Sequence, residues 1–175
     1  MWEIYWRVLV SLPKVLWLKL RYAGKCSMPL VQAFGHHTEV KIKDGTARFG
    51  KEQITRGNAV FRVEGGELTV GDKCFFNQNV SITCKKKIVI GDRCQIANNV
   101  VIVDHDHAGS ENWGSYVETP VTIGNDVWIG ANVVILCYNS KSRMTKIARV
   151  RLAKPFSVPK AIPIFFCFVG VTSRC

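Results

Sequence analysis

The chain has 175 residues, with 24 lysines and arginines against 13 acidic residues, and a formal net charge of +11. This length suits one domain with a real core, and glycine and proline are too few for a low-complexity chain. All thirteen acids lie at or before Asp126, whereas eight of the bases follow it, so the charge belongs to a basic tail and, without a recognition motif, predicts no nucleic-acid partner.

The seven cysteines are an odd number and contain no CxxC pair. This pattern argues against a zinc ribbon and against a secreted disulfide framework, and a reducing cytoplasm is the simplest setting. The N-terminal apolar stretch is interrupted by Arg7, Pro13, Lys14 and Lys19. We therefore expect neither a cleavable signal peptide nor a transmembrane helix.

Residues 1–39 form a predicted amphipathic helical segment. Large apolar residues recur there at mostly three- and four-residue steps, a helical period: Trp2, Trp6, Leu9, Val10, Leu16, Trp17 and Leu20. Pro13 is expected to divide residues 1–25 into two short helices. Two alternatives remain for these helices. They lie peripherally in a membrane interface, or they pack on their own domain or on a neighbouring subunit.

A six-residue repeat runs through residues 40–136. Its units open with a large apolar residue, at Val70, Phe76, Ile82, Ile90, Ile96, Ile102, Ile123, Ile129 and Ile135. The first and fifth positions are predicted to point inward, and Gly or Asn-Asp at the corners permits unusual backbone angles. Three units close a triangular coil, and coils stack on one another. The pattern predicts an all-β fold, a single-stranded parallel β-helix of hexapeptide repeats.

Two spacings depart from six. Ile82 to Ile90 is eight residues, which predicts a corner bulge at residues 85–87, and Ile102 to Ile123 is twenty-one, which predicts a projecting loop. Earlier apolar residues fit the repeat weakly and are predicted to form irregular strands of a capping end: Val40, Ile42, Phe49, Ile54, Phe61 and Val63.

Residues 137–175 form a predicted irregular basic tail. No further glycine-bearing hexad follows Ile135, acids vanish, and Pro155, Pro159 and Pro163 precede an apolar run. Our hypothesis is that this tail is translated out of the ancestral reading frame after about Leu136.

Candidate chemistry lies in residues 103–107, where the repeat gives way to the projecting loop. A histidine near neutral pH can take a proton from a hydroxyl. Asp104 or Asp106 would orient that histidine or raise its basicity. The alternative is a pair of exposed loop histidines, His105 and His107, with charged neighbours.

The stretch from Val101 to His107, the loop to Thr119-Pro120 and residues 121–135 resemble the hexapeptide-repeat acetyltransferases. The whole likeness extends from about Leu68 to Leu136, about 70 residues, and is greatest to sugar and O-antigen polysaccharide O-acetyltransferases. It implies a left-handed β-helix, a homotrimer with active sites between subunits, and acetyl transfer from acetyl-CoA to a sugar hydroxyl. Surface polysaccharide biosynthesis, such as that of lipopolysaccharide, is the implied role.

The same resemblance implies roles for individual residues. His105 is the implied general base, with His107 as second choice and Asp104 beside them. Asn77 and Asp106 would bind the acceptor, although Asn77 also suits an ordinary corner. The acyl donor would meet Trp128, Gly130 and Ala131, near the last hexads. No metal is expected. Trp128 would equally suit a subunit interface.

Two other functions stay open. A non-catalytic, truncated β-helix is one, because the hexads that complete the donor groove in the family do not follow Ile135 here. The other is a zinc enzyme of the γ-carbonic-anhydrase kind, which needs three separated ligands. Against it, His105 and His107 are close together, and His36 and His37 lie outside the repeats.

Overall fold

A computed structural model describes residues 2–107, 115–136 and 150–152. It begins with α1 (Trp2–Arg21), which is followed by a β-solenoid. The solenoid has three faces, each a sheet of in-register strands from successive coils, and all neighbouring strands are parallel except the last pair of the second face. The predicted β-helix of hexapeptide repeats is thereby confirmed.

The first face contains β1 (Cys26–Ser27), β3 (Thr46–Phe49), β6 (Glu67–Val70), β9 (Lys87–Ile90) and β14 (Val121–Ile123). The second contains β4 (Ile54–Thr55), β7 (Phe75–Phe76), β10 (Gln95–Ile96), β15 (Val127–Ile129) and β17 (Val150–Leu152). The third contains β2 (Glu39–Ile42), β5 (Val60–Val63), β8 (Ser81–Cys84), β11 (Val101–Val103) and β16 (Val134–Leu136).

The core is a set of aliphatic stacks along the solenoid axis. Ile82 pairs with Ile102, and Ile102 with Ile135, so that one side chain covers the next from coil to coil. Ile90, Ile96 and their equivalents are buried as the hexads predicted. Burying each such side chain contributes about 2 kcal/mol, which makes these stacks the main source of stability.

The regular coils begin earlier than the repeat suggested, and the prediction of irregular capping strands is wrong. Val40 pairs in register with Phe61, and Phe61 with Ile82. The repeat is hidden in the sequence because Gln53 and Thr55, both buried, occupy inward positions that are apolar in later coils. The Gln53 amide nitrogen donates to the Gly71 carbonyl at 2.6 Å, whereas its Oε1 is buried without a hydrogen-bond partner among the described residues.

Glycine at the second hexad position does not supply the unusual backbone angles that were predicted for it. Positive φ falls instead on other corner residues: Asn58, Lys73, Asn79, Arg93, Asn99, Asp126 and Asn132. At Gly71 a Cβ would lie 2.3 Å from Oδ1 of Asp92 in the next coil, and at Gly91 the same distance from Asn125. Glycine is required there because a side chain of the coil above packs directly onto the backbone.

Both spacing deviations are confirmed. The corner between β8 and β9 is lengthened at Lys85 and Lys86, and the equivalent corners between β2 and β3 and between β5 and β6 contain residues 43–45 and 64–66. The projecting loop begins with β12 (His105–His107) and returns through β13 (Tyr116–Glu118), which pair as an antiparallel hairpin. Among the described strands, those of this hairpin leave the triangular cross-section.

The helix α1 is continuous, so the prediction of two short helices is wrong. Pro13 lies within it and is exposed. The helix is held on both sides of Pro13 by side chains packed on the end of the solenoid, which offsets the backbone hydrogen bond that proline cannot make. Ser11, Val15 and Leu18 are the buried residues of α1. Among the residues described, no helix is long and apolar enough to cross a membrane.

Most of the predicted basic tail lies outside the described residues. The hypothesis of a changed reading frame concerns those same residues. The part described, β17, runs antiparallel to β15, with Arg151 opposite Trp128. It pairs with an otherwise open strand edge. The division of the chain at residues 39 and 136 stays a prediction.

Candidate active site

Asp104 ends the third face and points into the solenoid. It is fully buried, and its carboxylate accepts hydrogen bonds from the backbone N–H groups of Lys85, Lys86 and Lys87, each at 2.7 Å. The thiol of Cys84 lies 3.4 Å from Oδ2. Burial first, and then the Asp104 charge, raise the pKa of Cys84 to about 12. The thiol therefore stays protonated and adds a fourth donor, so the buried charge is well satisfied.

His105 sits against this carboxylate. Its Nδ1 is 3.2 Å from Oδ1 of Asp104, and its side chain is 14% exposed. When Nδ1 donates a proton to a carboxylate, the lone pair of the neutral ring lies on Nε2. The pairing therefore gives His105 the tautomer that a general base needs.

The hairpin holds both histidines beside Tyr116. The His105 ring meets the Tyr116 ring edge-on at 5.5 Å, and the His107 ring is tilted toward it at 5.0 Å. Lys85 Nζ lies 3.9 Å from the Tyr116 ring centroid and 3.5 Å from a Glu64 carboxylate oxygen. Sequence reasoning missed Lys85 and Tyr116, because only the hairpin and the coil below it bring Tyr116 to His105 and Lys85 to Tyr116.

The two carboxylates that flank His105 in the sequence make different contacts. Asp104 contacts His105, whereas Asp106 Oδ1 accepts the backbone N–H of His107 at 3.0 Å. His107 is exposed, and its ring lies against Tyr116. Of the pair predicted from sequence, Asp104 is thus the residue placed to orient a base.

A separate concavity of about 190 Å³ lies on the second face. Its lining includes Asn77 and Trp128, both predicted from sequence, together with Phe75, Gln95, Ile96 and Ala97. Phe75, Gln95 and Trp128 stack in register on successive strands. Trp128 is 37% exposed. The volume is smaller than an ordinary small-molecule site of about 300 Å³, so it suits one end of a ligand.

Gly130 and Ala131 lie in the turn after β15, at the edge of this region. A Cβ at Gly130 would be 3.8 Å from the Trp128 ring. Neither residue lines the concavity. Their predicted contact with an acyl donor stays a prediction.

The described residues of one chain do not bring His105 and Asn77 together. Asn77 follows β7 and precedes the third face, whereas His105 follows β11 at the far end of that face. A four-residue strand spans about 13 Å, which exceeds hydrogen-bond reach several times. No group of three histidine, cysteine, aspartate or glutamate side chains with ligand geometry occurs within residues 2–107 and 115–136.

Comparisons with known proteins identify acetyltransferases as relatives. The chain is 36% identical over 108 residues to galactoside O-acetyltransferase of Escherichia coli K12, covering 57% of this chain and 53% of that enzyme. A protein of Saccharomyces cerevisiae, provisionally named an acetyltransferase, is 39% identical over 75 residues, which cover 41% of this chain and 38% of that one.

A third relative, from Mycobacterium tuberculosis and also provisionally named an acetyltransferase, is 30% identical over 119 residues, 65% of this chain and 38% of that protein. The chain thus spans about half or less of the relatives it matches. No family model matches the chain. No solved structure matches it significantly. The relatives and the solenoid together confirm the resemblance stated from sequence.

Proposed function

Because the solenoid is related in sequence and fold to the hexapeptide-repeat acetyltransferases, we propose that this chain transfers an acetyl group from acetyl-CoA to a sugar hydroxyl. The observation that carries the proposal is the contact between Asp104 and His105 at 3.2 Å. A carboxylate fixed by three backbone donors gives the imidazole one orientation and one tautomer. This is the arrangement that proton abstraction from a hydroxyl requires.

His105 is the proposed general base. Nε2 takes the proton of the acceptor hydroxyl while the hydroxyl oxygen attacks the thioester carbonyl carbon. The tetrahedral intermediate then collapses as the carbon–sulfur bond breaks, and the imidazolium returns its proton to the departing thiolate. Asp104 stabilises the imidazolium between these two steps.

The Asn77–Trp128 concavity is the proposed position of one substrate end. Trp128 offers an aromatic face and Asn77 a carboxamide, groups that suit a sugar ring or an amide-bearing donor arm. Asp106, Gly130 and Ala131 are proposed as flanking contacts. The volume of about 190 Å³ accommodates only part of acetyl-CoA, so the remainder of the donor would lie along the surface.

A homotrimer is proposed because His105 and the Asn77–Trp128 concavity lie at opposite ends of the third face. A second copy would bring its own concavity next to His105 and complete the site. Mixing His105→Ala chains with Asn77→Ala chains under subunit exchange tests this arrangement. Regained activity supports a site between subunits, and activity that stays at the level of the two separate variants contradicts it.

A compartment and a pathway are also proposed. Cys26, Cys74, Cys84 and Cys94 are free and buried, which suits the reducing cytoplasm. The role in surface polysaccharide synthesis rests on the family resemblance. The acceptor is accordingly sought among free and nucleotide-linked sugars.

Release of the coenzyme A thiol from acetyl-CoA, measured with a panel of sugars, tests the reaction. His105→Ala is expected to lower the rate about 100-fold or more, and His36→Ala, an exposed histidine in the first coil, is the matched control. Loss with His107→Ala instead would transfer the role of base to His107. No release with any acceptor would favour the non-catalytic alternative, and release abolished by a chelator would favour the zinc alternative.

A further inference from the structure

The outer side of α1 carries a continuous apolar face. Its large apolar residues are 49% to 79% exposed, and they are Tyr5, Trp6, Leu9, Val10, Leu16, Trp17 and Leu20. They occupy an arc of roughly 140° on the helix. Ser11, Val15 and Leu18, which are buried, lie on the opposite side.

The helix lies flat across the end of the solenoid. Three side chains fix it to carbonyl groups of the first coil: Ser11 to Gln32, Lys14 to Thr38, and Lys19 to Met28. These carbonyls belong to different sides of the triangle. The helix axis is therefore crosswise to the solenoid, and the apolar face points away from it.

Basic residues border this face. Arg7 and Arg21 follow one edge, and the guanidinium of Arg21 packs 5.4 Å from the Trp17 ring centre. Lys14 and Lys19 also lie at the edges, with their ammonium groups bonded to carbonyls of the first coil. Glu3 is the single acid among residues 1–38. An exposed apolar strip with tryptophan and leucine, framed by cations, has the composition of a helix that lies in a membrane interface.

We propose that the apolar face of α1 binds the surface of an anionic lipid membrane and orients the solenoid axis along the membrane normal. Contiguous exposed apolar surface of this extent marks an interaction site. A second copy of the chain is a poorer occupant, because two such faces placed together would bring their bordering cations together. An anionic headgroup layer instead complements those cations. The inference is independent of the proposed acetyl transfer.

Sedimentation with phosphatidylcholine vesicles containing about one third phosphatidylglycerol tests the proposal. The full chain is expected to bind these vesicles, to bind vesicles of phosphatidylcholine alone much more weakly, and to lose affinity in high salt. The double variant Leu9→Gln/Trp17→Gln is expected to bind at least about tenfold more weakly. Arg7→Gln and Arg21→Gln each lower the affinity about fivefold.

Val134→Gln is the matched control, because Val134 is an exposed apolar residue in the last described coil. It is expected to leave vesicle binding unchanged. Absence of binding by the native chain would overturn the proposal, and so would equal binding by the native chain and the Leu9→Gln/Trp17→Gln variant. Dissociation of an oligomer by that variant, without any change in vesicle binding, would assign the face to a second copy instead.

Tryptophan fluorescence of the native chain gives a readout that does not depend on variants. Brominated phosphatidylcholine in the anionic vesicles is expected to quench it, and Trp6→Phe/Trp17→Phe to reduce the quenching. Trp128→Phe, on the second face, should not reduce the quenching. Quenching that is lost with Trp128→Phe, or that is absent altogether, would overturn the proposed orientation.

Discussion

Asp104 links the catalytic candidate His105 to the corner of the coil below it. One carboxylate oxygen lies 3.2 Å from Nδ1 of His105 and 2.7 Å from the Lys85 backbone nitrogen, and the other accepts from Lys86 and Lys87. The orientation of the imidazole is therefore set by the stacking of two coils. A change at Asp104 should alter both folding stability and catalysis.

Asp104→Asn is expected to lower the free energy of unfolding by about 3 kcal/mol, because an amide NH₂ would face backbone donors and a buried charge-assisted contact would be lost. Urea unfolding measures the change. Asp106→Asn is the matched control, since its remaining carbonyl oxygen can still accept from the His107 nitrogen, and should shift stability by less than about 1 kcal/mol. Equal shifts for the two variants would contradict the role assigned to the Asp104 carboxylate.

Tyr116 is expected to position the histidines through its ring. Tyr116→Phe keeps the ring contacts at 5.5 Å and 5.0 Å, so kcat in the thiol-release assay should stay within about threefold of the native value. Tyr116→Ala removes them and should lower kcat about tenfold or more, with little change in unfolding because Tyr116 is exposed. A large loss with Tyr116→Phe would assign a role to the hydroxyl instead.

The hexad glycines provide a matched pair for testing backbone stacking. Gly71→Ala would place its Cβ 2.3 Å from Asp92 and 2.6 Å from the Gly91 backbone, whereas Gly124→Ala meets nothing within 4 Å. The first variant should lose at least about 2 kcal/mol of stability, and the second should change it by less than about 1 kcal/mol. Similar results for both would show that successive coils are not in contact at these corners.

The sequence predicted the fold wherever the inward positions are aliphatic. From Val70 to Ile135 the hexads place Ile90, Ile96 and Ile129 correctly, because a hydrophobic stack requires the same residue type in every coil. The earlier coils were not predicted, because two of their inward positions hold Gln53 and Thr55. These side chains are accommodated by hydrogen bonds and not by hydrophobic stacking. Such bonds depend on partners some twenty residues away, and periodicity does not reveal them.

The candidate site was predictable only in part, for a related reason. His105, Asp104 and Trp128 lie within or next to recognisable hexads, so the resemblance located them. Tyr116 meets His105, and Lys85 meets Tyr116, only after the coils stack and the hairpin closes. The continuity of α1 through Pro13 likewise depends on packing against the first coil, which local propensity does not contain.

An asparagine ladder runs along the corner before the third face. The Asn79 amide donates to Asn99 at 3.1 Å and accepts from Asn58 at 3.1 Å, and Asn79 has a φ of 59°. Asn79→Gly keeps the backbone angle and loses only the amide bonds, at a cost of about 1 kcal/mol. Asn79→Ala should cost about 1 kcal/mol more, because alanine is strained in this conformation. Equal losses in thermal unfolding would contradict the contribution assigned to the backbone angle.

The buried thiol of Cys84 predicts a loss of stability in alkali. Burial and the Asp104 charge raise its pKa from 9.0 to about 12, so the unfolded chain releases this proton at lower pH than the folded chain. The stability gained from keeping the thiol neutral is complete below about pH 9 and is lost as the pH rises toward 12, by about 1.4 kcal/mol per pH unit.

Cys84→Val isolates this contribution, because Val63 occupies the equivalent position one coil below. Urea unfolding between about pH 8 and pH 10 should show a decline for the native chain that exceeds the decline for the variant by about 1 kcal/mol. Other buried thiols, such as Cys26 with a pKa raised by burial to about 11, contribute equally to both curves. Parallel curves would mean that Cys84 ionises as easily in the folded chain as in the unfolded one.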